Sequence, residues 1–346
     1  GSVVAETSTL RGQSATSIAA QDLKAVSSAE VRTIIEAQTG VLDIALTGDL
    51  DVQGALLQGD SSGTAVTVDV AGNMALASLS EAAIGSVFAR TGALKLVVGG
   101  SVANRSGRVL SDSRIDTDVQ GDFLNLTAMR SADDGLGLTY ALGQEVSQLA
   151  ANGPLAVQVG GVFSNTGLVA GSQVTISAAE IENALVVLGE VRREKRCVLF
   201  FCRGRMIGDV AFDGGRLDAT QSLALTAAAR FVNTGGGLSA GTGITITAPA
   251  IRFDALRYVT GYTRSRGLYS LFSGAEGRFI QSYEGGSITL STGEVVLVAD
   301  GNVTMEATSV EPESALRAVN GYTLVKTPEG VALRNAVHIG LFAFLF

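Results

Sequence analysis

The stretch LKLVVGGSVANRSGRVLSDS, residues 94–113, returns as LAVQVGGVFSNTGLVAGS at 155–172 and as LALTAAARFVNTGGGLSAGT at 223–242. Each copy runs apolar alternation, small residues, Asn-x-(x)-Gly and a second alternating run. Alternation sends successive side chains to opposite faces of an extended chain, so each copy reads as strand, bend, strand. A phrase that repeats along a chain marks stacked units sharing one core. Asn104, Asn165 and Asn233 recur at intervals of 61 and 68 residues, a spacing that reads as three coils of about 20 residues each.

The same alternation extends outward. In VLDIALTGDLDVQG, residues 41–54, Leu42, Ile44, Leu46, Leu50 and Val52 share one parity, and TAVTVDVAGNMALASL, residues 64–79, repeats the device. Residues 8–40 are alanine-rich and fit short strands or a helical face, with the flanking context favouring strands. Tight Asn-Gly hairpin signals are scarce, and irregular spacers separate similar phrases, which argues against a sandwich. The expected fold is all-β, a right-handed parallel β-helix with one or two protruding loop or hairpin insertions. Asparagine at a bend can bond local backbone, and stacked asparagines can bond one another along the axis; an ordinary turn asparagine is the plainer alternative. About sixteen coils at about 4.8 Å would make a rod about 75 Å long.

Composition agrees with a narrow core. The chain has 346 residues, 43 glycines, no tryptophan and 5% aromatics, so small and β-branched side chains must fill the interior. A net charge of −8 gives the whole chain no footprint for nucleic acid or an anionic membrane, although local basic clusters remain open. No run reaches the roughly 18 apolar residues of a membrane span; residues 337–346 come closest and would cap the last coil, or be an adhesive end where a longer chain continues.

Two stretches break the pattern, and solenoids place specific function at such breaks. The organisation expected is coils of uncertain pattern at 1–40, repeats at 41–190, an insertion at 191–208, repeats at 209–250, a second interruption at 251–283, and repeats with an apolar end at 284–346. In VRREKRCVLFFCRGRMIG, residues 191–208, Arg192, Arg193, Lys195, Arg196, Arg203 and Arg205 reverse the sign of an acidic chain, suited to an anionic partner. Charge runs are usually plain solvated surface. Cys197 and Cys202 can pair only if the chain turns between them, since an odd offset in a straight strand separates the thiols. Residues 251–283 hold Arg257, Tyr258, Tyr262, Arg264, Arg266 and Tyr269, residue types enriched at interfaces; packing of a loop on its own coil is the alternative.

No catalytic, cofactor or metal site is read from the sequence. Asp49/Asp51 and Asp116/Asp118 could share a face as a lyase or hydrolase would need, but alternating acids are mostly solubility devices. The single histidine, His338, lies in the apolar terminal run. Two thiols without nearby partners disfavour zinc.

In outline, Leu-x-Leu-x-(small)3-x-x-Asn-x-Gly-x-Leu-x-(Ala/Ser)-Gly resembles the hemagglutinin-type repeats of filamentous hemagglutinins and contact-dependent growth inhibition exoproteins. GGSITLSTGEVVLVADGNVTMEATSVE, residues 285–311, is similar to the more regular repeat of that family. The resemblance covers roughly residues 40–190 and 210–311. It implies an interior segment of a secreted, cell-surface fibre, exported with an outer-membrane transporter partner and contacting a receptor or glycan on a target cell. The family's N-terminal Asn-Pro-Asn secretion motifs and a toxin domain have no counterpart here, which limits the carry-over to shaft or binding functions.

Overall fold

The computed structural model describes residues 1–133, 137–198, 201–265, 276–291, 294–298, 303–311, 316–318, 322–327 and 330–335. Its strands wind into a parallel β-helix with three walls. The first wall stacks Val3–Glu6, Leu23–Val26, Leu50–Gln53, Met74–Ala77, Val102–Arg105, Phe123–Leu126 and Val162–Asn165, then residues 180–184, 230–234, Ala250–Asp254 and the start of Val303–Glu311. That is eleven levels among the described residues, each paired parallel to the next. A second wall begins at Thr9–Gly12 and a third at Ala15–Ala20, and both are equally deep.

Register explains why these residues take these places. In the third wall Leu42, Val66, Leu94, Ile115, Leu155, Val174, Leu223, Ile244 and Val295 pair in one unbroken row, and all are buried. Each aliphatic side chain therefore rests on the equivalent one below, which removes most of its apolar area from water. In the first wall Phe123 and Phe163 stack with ring centroids 5.7 Å apart.

Between the third and first walls the chain turns on glycines whose amides form a ladder: Gly72 donates to Gly48, Gly100 to Gly72, Gly121 to Gly100 and Gly161 to Gly121, all at 2.8–2.9 Å. A Cβ at Gly100 would sit 2.7 Å from the Gly72 carbonyl oxygen, so a larger residue is excluded there; the same ladder ends on Gln21 below Gly48 and on Ala179 above Gly161. Beside the glycines, the Asp49 carboxylate accepts the Asn73 amide at 2.7 Å, Asn73 Oδ1 accepts the Ser101 amide at 2.9 Å, and Asp122 Oδ1 accepts the Val162 amide at 2.8 Å.

Four expectations need correction. The intervals of 61 and 68 residues each hold two coils, not three, because an excursion from the solenoid lengthens one coil in each interval. For the same reason the described stack has eleven levels instead of about sixteen, and at about 4.8 Å per level it is about 50 Å long. The repeats expected throughout 41–190 are broken by a hairpin, Met129–Asp133 with Gly137–Leu142. Ala250–Asp254, placed partly in the second interruption, is a first-wall strand. The run at 337–346 lies outside the described residues; at this end the hairpin of Tyr322–Thr327 and Gly330–Asn335 pairs antiparallel with residues 305–307.

Among the described residues up to 285, one corner launches every excursion from the solenoid. From first to second wall, alternate coils cross in two residues, at 7–8, 54–55, 106–107, 166–167 and 235–236. Thr7, Gly54, Ser106 and Gly235 take positive φ there, between 44° and 67°, the left-handed geometry a tight bend needs. The coils between them cross by excursions at 27–33, 78–85, 127–147, 185–215 and 255–285.

Candidate functional site

The last three excursions are antiparallel hairpins: Met129–Asp133 with Gly137–Leu142, Val186–Val198 with Phe201–Asp213, and Leu256–Ser265 with Glu276–Glu284. They join edge to edge into one six-stranded antiparallel sheet. Geometry makes this pairing natural. Hairpins leave every second level, about 9.6 Å apart, and a two-stranded hairpin is about 9.6 Å wide in the hydrogen-bonding direction. A hairpin on every coil would overcrowd the sheet; one on every third would leave unpaired edges.

The corner beneath this sheet is fixed by buried asparagines. Asn104 Nδ2 donates to Asn125 Oδ1 at 2.8 Å, and the chain of amides continues through Asn165, Asn183 and Asn233 with 2.7 Å at each step. All five are at most 1% exposed. The remaining amide hydrogens reach carbonyls across the corner, including Asn183 to Gly215 at 2.7 Å and Asn233 to Gly236 at 2.8 Å. Buried amides cost little only when their polar atoms are matched; here each Nδ2 is matched and closes the neck of an excursion or a tight turn, and only Asn104 Oδ1, at the ladder's end, has no partner among the described residues. The ladder carries the levels from which the hairpins depart. Asn125 and Asn183 lack the Asn-x-(x)-Gly phrase because a hairpin follows each of them; their parity with Phe123 and Ile181 was the available signal.

The sheet unites the two candidate stretches. Arg203, Gly204 and Arg205 of the second hairpin pair with Ser265, Arg264 and Thr263 of the third. Arg192 is registered with Ile207 and Gly137, Arg193 with Met206, and Arg196 with Arg203. Arg257 pairs with Tyr283, Tyr258 with Ser282 and Tyr262 with Phe279. Arg266 and Tyr269 lie outside the described residues. Cys197 stands directly opposite Cys202 with the chain reversed between them, which is the condition the spacing demanded.

Near the solenoid the hairpins pack through rings: Phe212 and Tyr258 meet edge to face with centroids 5.0 Å apart. Burial, and then the nearby Glu284, push the Tyr258 phenol above its ordinary range. The earlier excursions join the same ridge. Arg32 Nη2 donates to the Ile84 carbonyl at 2.6 Å, and Gln144 Nε2 to the Leu79 carbonyl at 2.8 Å.

Beside the sheet base runs a groove of about 910 Å³ along the second wall, with Arg216, Asp218, Ser239, Thr289 and Glu284 among its lining. Arg216 and Asp218 are paired at 2.5 Å. The carboxylates singled out from sequence have local partners instead: Asp51 accepts from Gln53, Asp116 pairs with Arg114 and Asp118 accepts from Gln120. Among the described residues no cluster of three or more His, Cys, Asp or Glu side chains could hold a metal. No protein-family model matches the chain, and neither a characterised protein nor a solved structure is detectably similar to it.

Proposed function

We propose that this chain is a non-catalytic shaft and receptor-binding segment of a secreted, cell-surface adhesin or growth-inhibition exoprotein of the hemagglutinin-repeat type. The solenoid supplies reach, and the hairpin sheet contacts a receptor or glycan on a target cell. The observation that carries this reading is the gathering of two Arg- and Tyr-rich segments, distant in sequence, into one sheet raised from a single corner. Arg and Tyr offer apolar area with a polar end, which suits contact surfaces. The parent chain would leave the cell through an outer-membrane transporter partner.

Binding of the purified chain to candidate target cells tests this. Removal of the second and third hairpins should abolish binding while the β-type circular dichroism persists, and undiminished binding would reject the sheet as the contact surface. The groove with Asp218 and Glu284 favours a second reading, a polysaccharide lyase or hydrolase. Release of sugar from surface polysaccharide by the purified chain would establish it.

A further inference from the structure

We infer that the far end of the hairpin sheet seats on an anionic membrane surface, its cations engaging phosphate-bearing head groups and Val198 and Phe201 entering the interface. This deepens the receptor-contact reading and rests on it. The argument is one of placement. Across residues 193–196, 203–206, 262–265 and 276–279, four adjacent strands hold seven Lys or Arg and two Glu. A chain of net charge −8 thus carries a local excess of five positive charges around this end of the sheet, divided between its two faces.

The register carries a cost that an anion would relieve. Arg196 is paired directly with Arg203, and like charges opposite one another destabilise a sheet. One row runs Lys195, Gly204, Arg264, Gly277. Its two glycines bring no side chain to that row. Beyond the cations, Val198 opposite Phe201 is the last described pair of the second hairpin. An apolar end behind a basic collar suits a membrane interface, where apolar burial and attraction to anionic lipid add.

Length places this end well clear of the shaft. The strand Val186–Val198 has 13 residues, so its end stands about 40 Å beyond the corner. Among the described residues the first hairpin pairs only as far as Arg192.

The test is co-sedimentation of the whole chain with phosphatidylcholine vesicles and with vesicles containing phosphatidylglycerol. Binding to the anionic vesicles should be at least about tenfold stronger and should weaken with added salt. The double variant Arg196→Ser, Arg203→Ser should bind about 25-fold more weakly, at about fivefold per cation. Val198→Ser with Phe201→Ser should weaken binding but keep its salt dependence, and Arg114→Ser, in the turn before the third-wall strand Ile115–Val119, should change nothing. Equal binding to both vesicles, no binding, or an unaffected Arg196/Arg203 variant overturns the inference, as does capture of an acidic peptide without vesicle binding. Cell binding that needs the sheet while vesicles are ignored would sink the membrane inference and leave the receptor reading standing.

Discussion

Asn183 donates its side-chain amide to Asn233 at 2.7 Å although 50 residues separate them. They are neighbours because the second hairpin leaves the solenoid just after Asn183 and returns before the next strand. The same amide reaches Gly215, on the return side of that hairpin, so one side chain ties both legs of the excursion to the coil above.

Replacing Asn183 with Ala should therefore cost about 2–4 kcal/mol, since its removal strands Asn233 Oδ1 without a donor in a dry interior. Asn73→Ala, at an exposed corner, should cost about 1 kcal/mol. The ladder's other end gives a sharper check. Asn104 Oδ1 is buried with no hydrogen-bond partner among the described residues, and its register neighbour is the buried Leu76. Leu76→Asn should be less damaging than Val52→Asn by about 1–2 kcal/mol, because only the former meets a waiting acceptor. Denaturant unfolding of the four variants measures this.

Alternate coils turn the hairpin-bearing corner in two residues, so excursions are dispensable to the stack. Replacing residues 185–215 with Thr-Gly, as found at 166–167, should leave a cooperatively unfolding protein with the same β-type circular dichroism. Loss of cooperative unfolding would mean that the sheet holds the solenoid together and not the reverse.

Cys197 and Cys202 occupy one antiparallel pair, where Cα atoms stand about 4.5–5.5 Å apart, inside the range a disulfide spans. Exchange with a small-molecule disulfide such as oxidised glutathione should oxidise both thiols, releasing two reduced thiols, and the product should be lighter by two hydrogens. The closed loop should raise stability by about 2 kcal/mol. Persistent labelling of both thiols after such treatment would contradict the register.

Because the Tyr258 phenol is raised above its ordinary value, the folded state holds that proton more tightly than the unfolded chain does. The resulting stabilisation is complete below pH about 10 and is lost as pH rises through the raised value. Titration of tyrosinate absorbance should show a late-ionising component that Tyr258→Phe removes, with the Phe212 contact retained.

The parity of Leu42, Ile44 and Leu46, and the phrases around Asn104, Asn165 and Asn233, carried the parallel stack, since both depend only on local alternation and bend chemistry. The coil count failed for a physical reason. Asn-x-(x)-Gly marks only coils that turn tightly, and Asn125 and Asn183 precede hairpins that need no such glycine. Met129–Leu142 escaped notice because its composition matches the strands around it. Each Arg-rich segment was legible alone, but their union was not. Pairing of Arg203 with Ser265 follows from the spacing of levels along the axis, a quantity that no local pattern contains.

The central claim is that alternate coils extend hairpins into a shared sheet, which places Gly204 beside Arg264. With Cys197 and Cys202 first changed to Ser, the double variant Gly204→Cys, Arg264→Cys should form an intramolecular disulfide under mild oxidation at high dilution, identified by peptide mapping. Failure to cross-link, together with spin labels at these two positions reporting a separation above about 25 Å, well beyond any cross-strand neighbour, would contradict it.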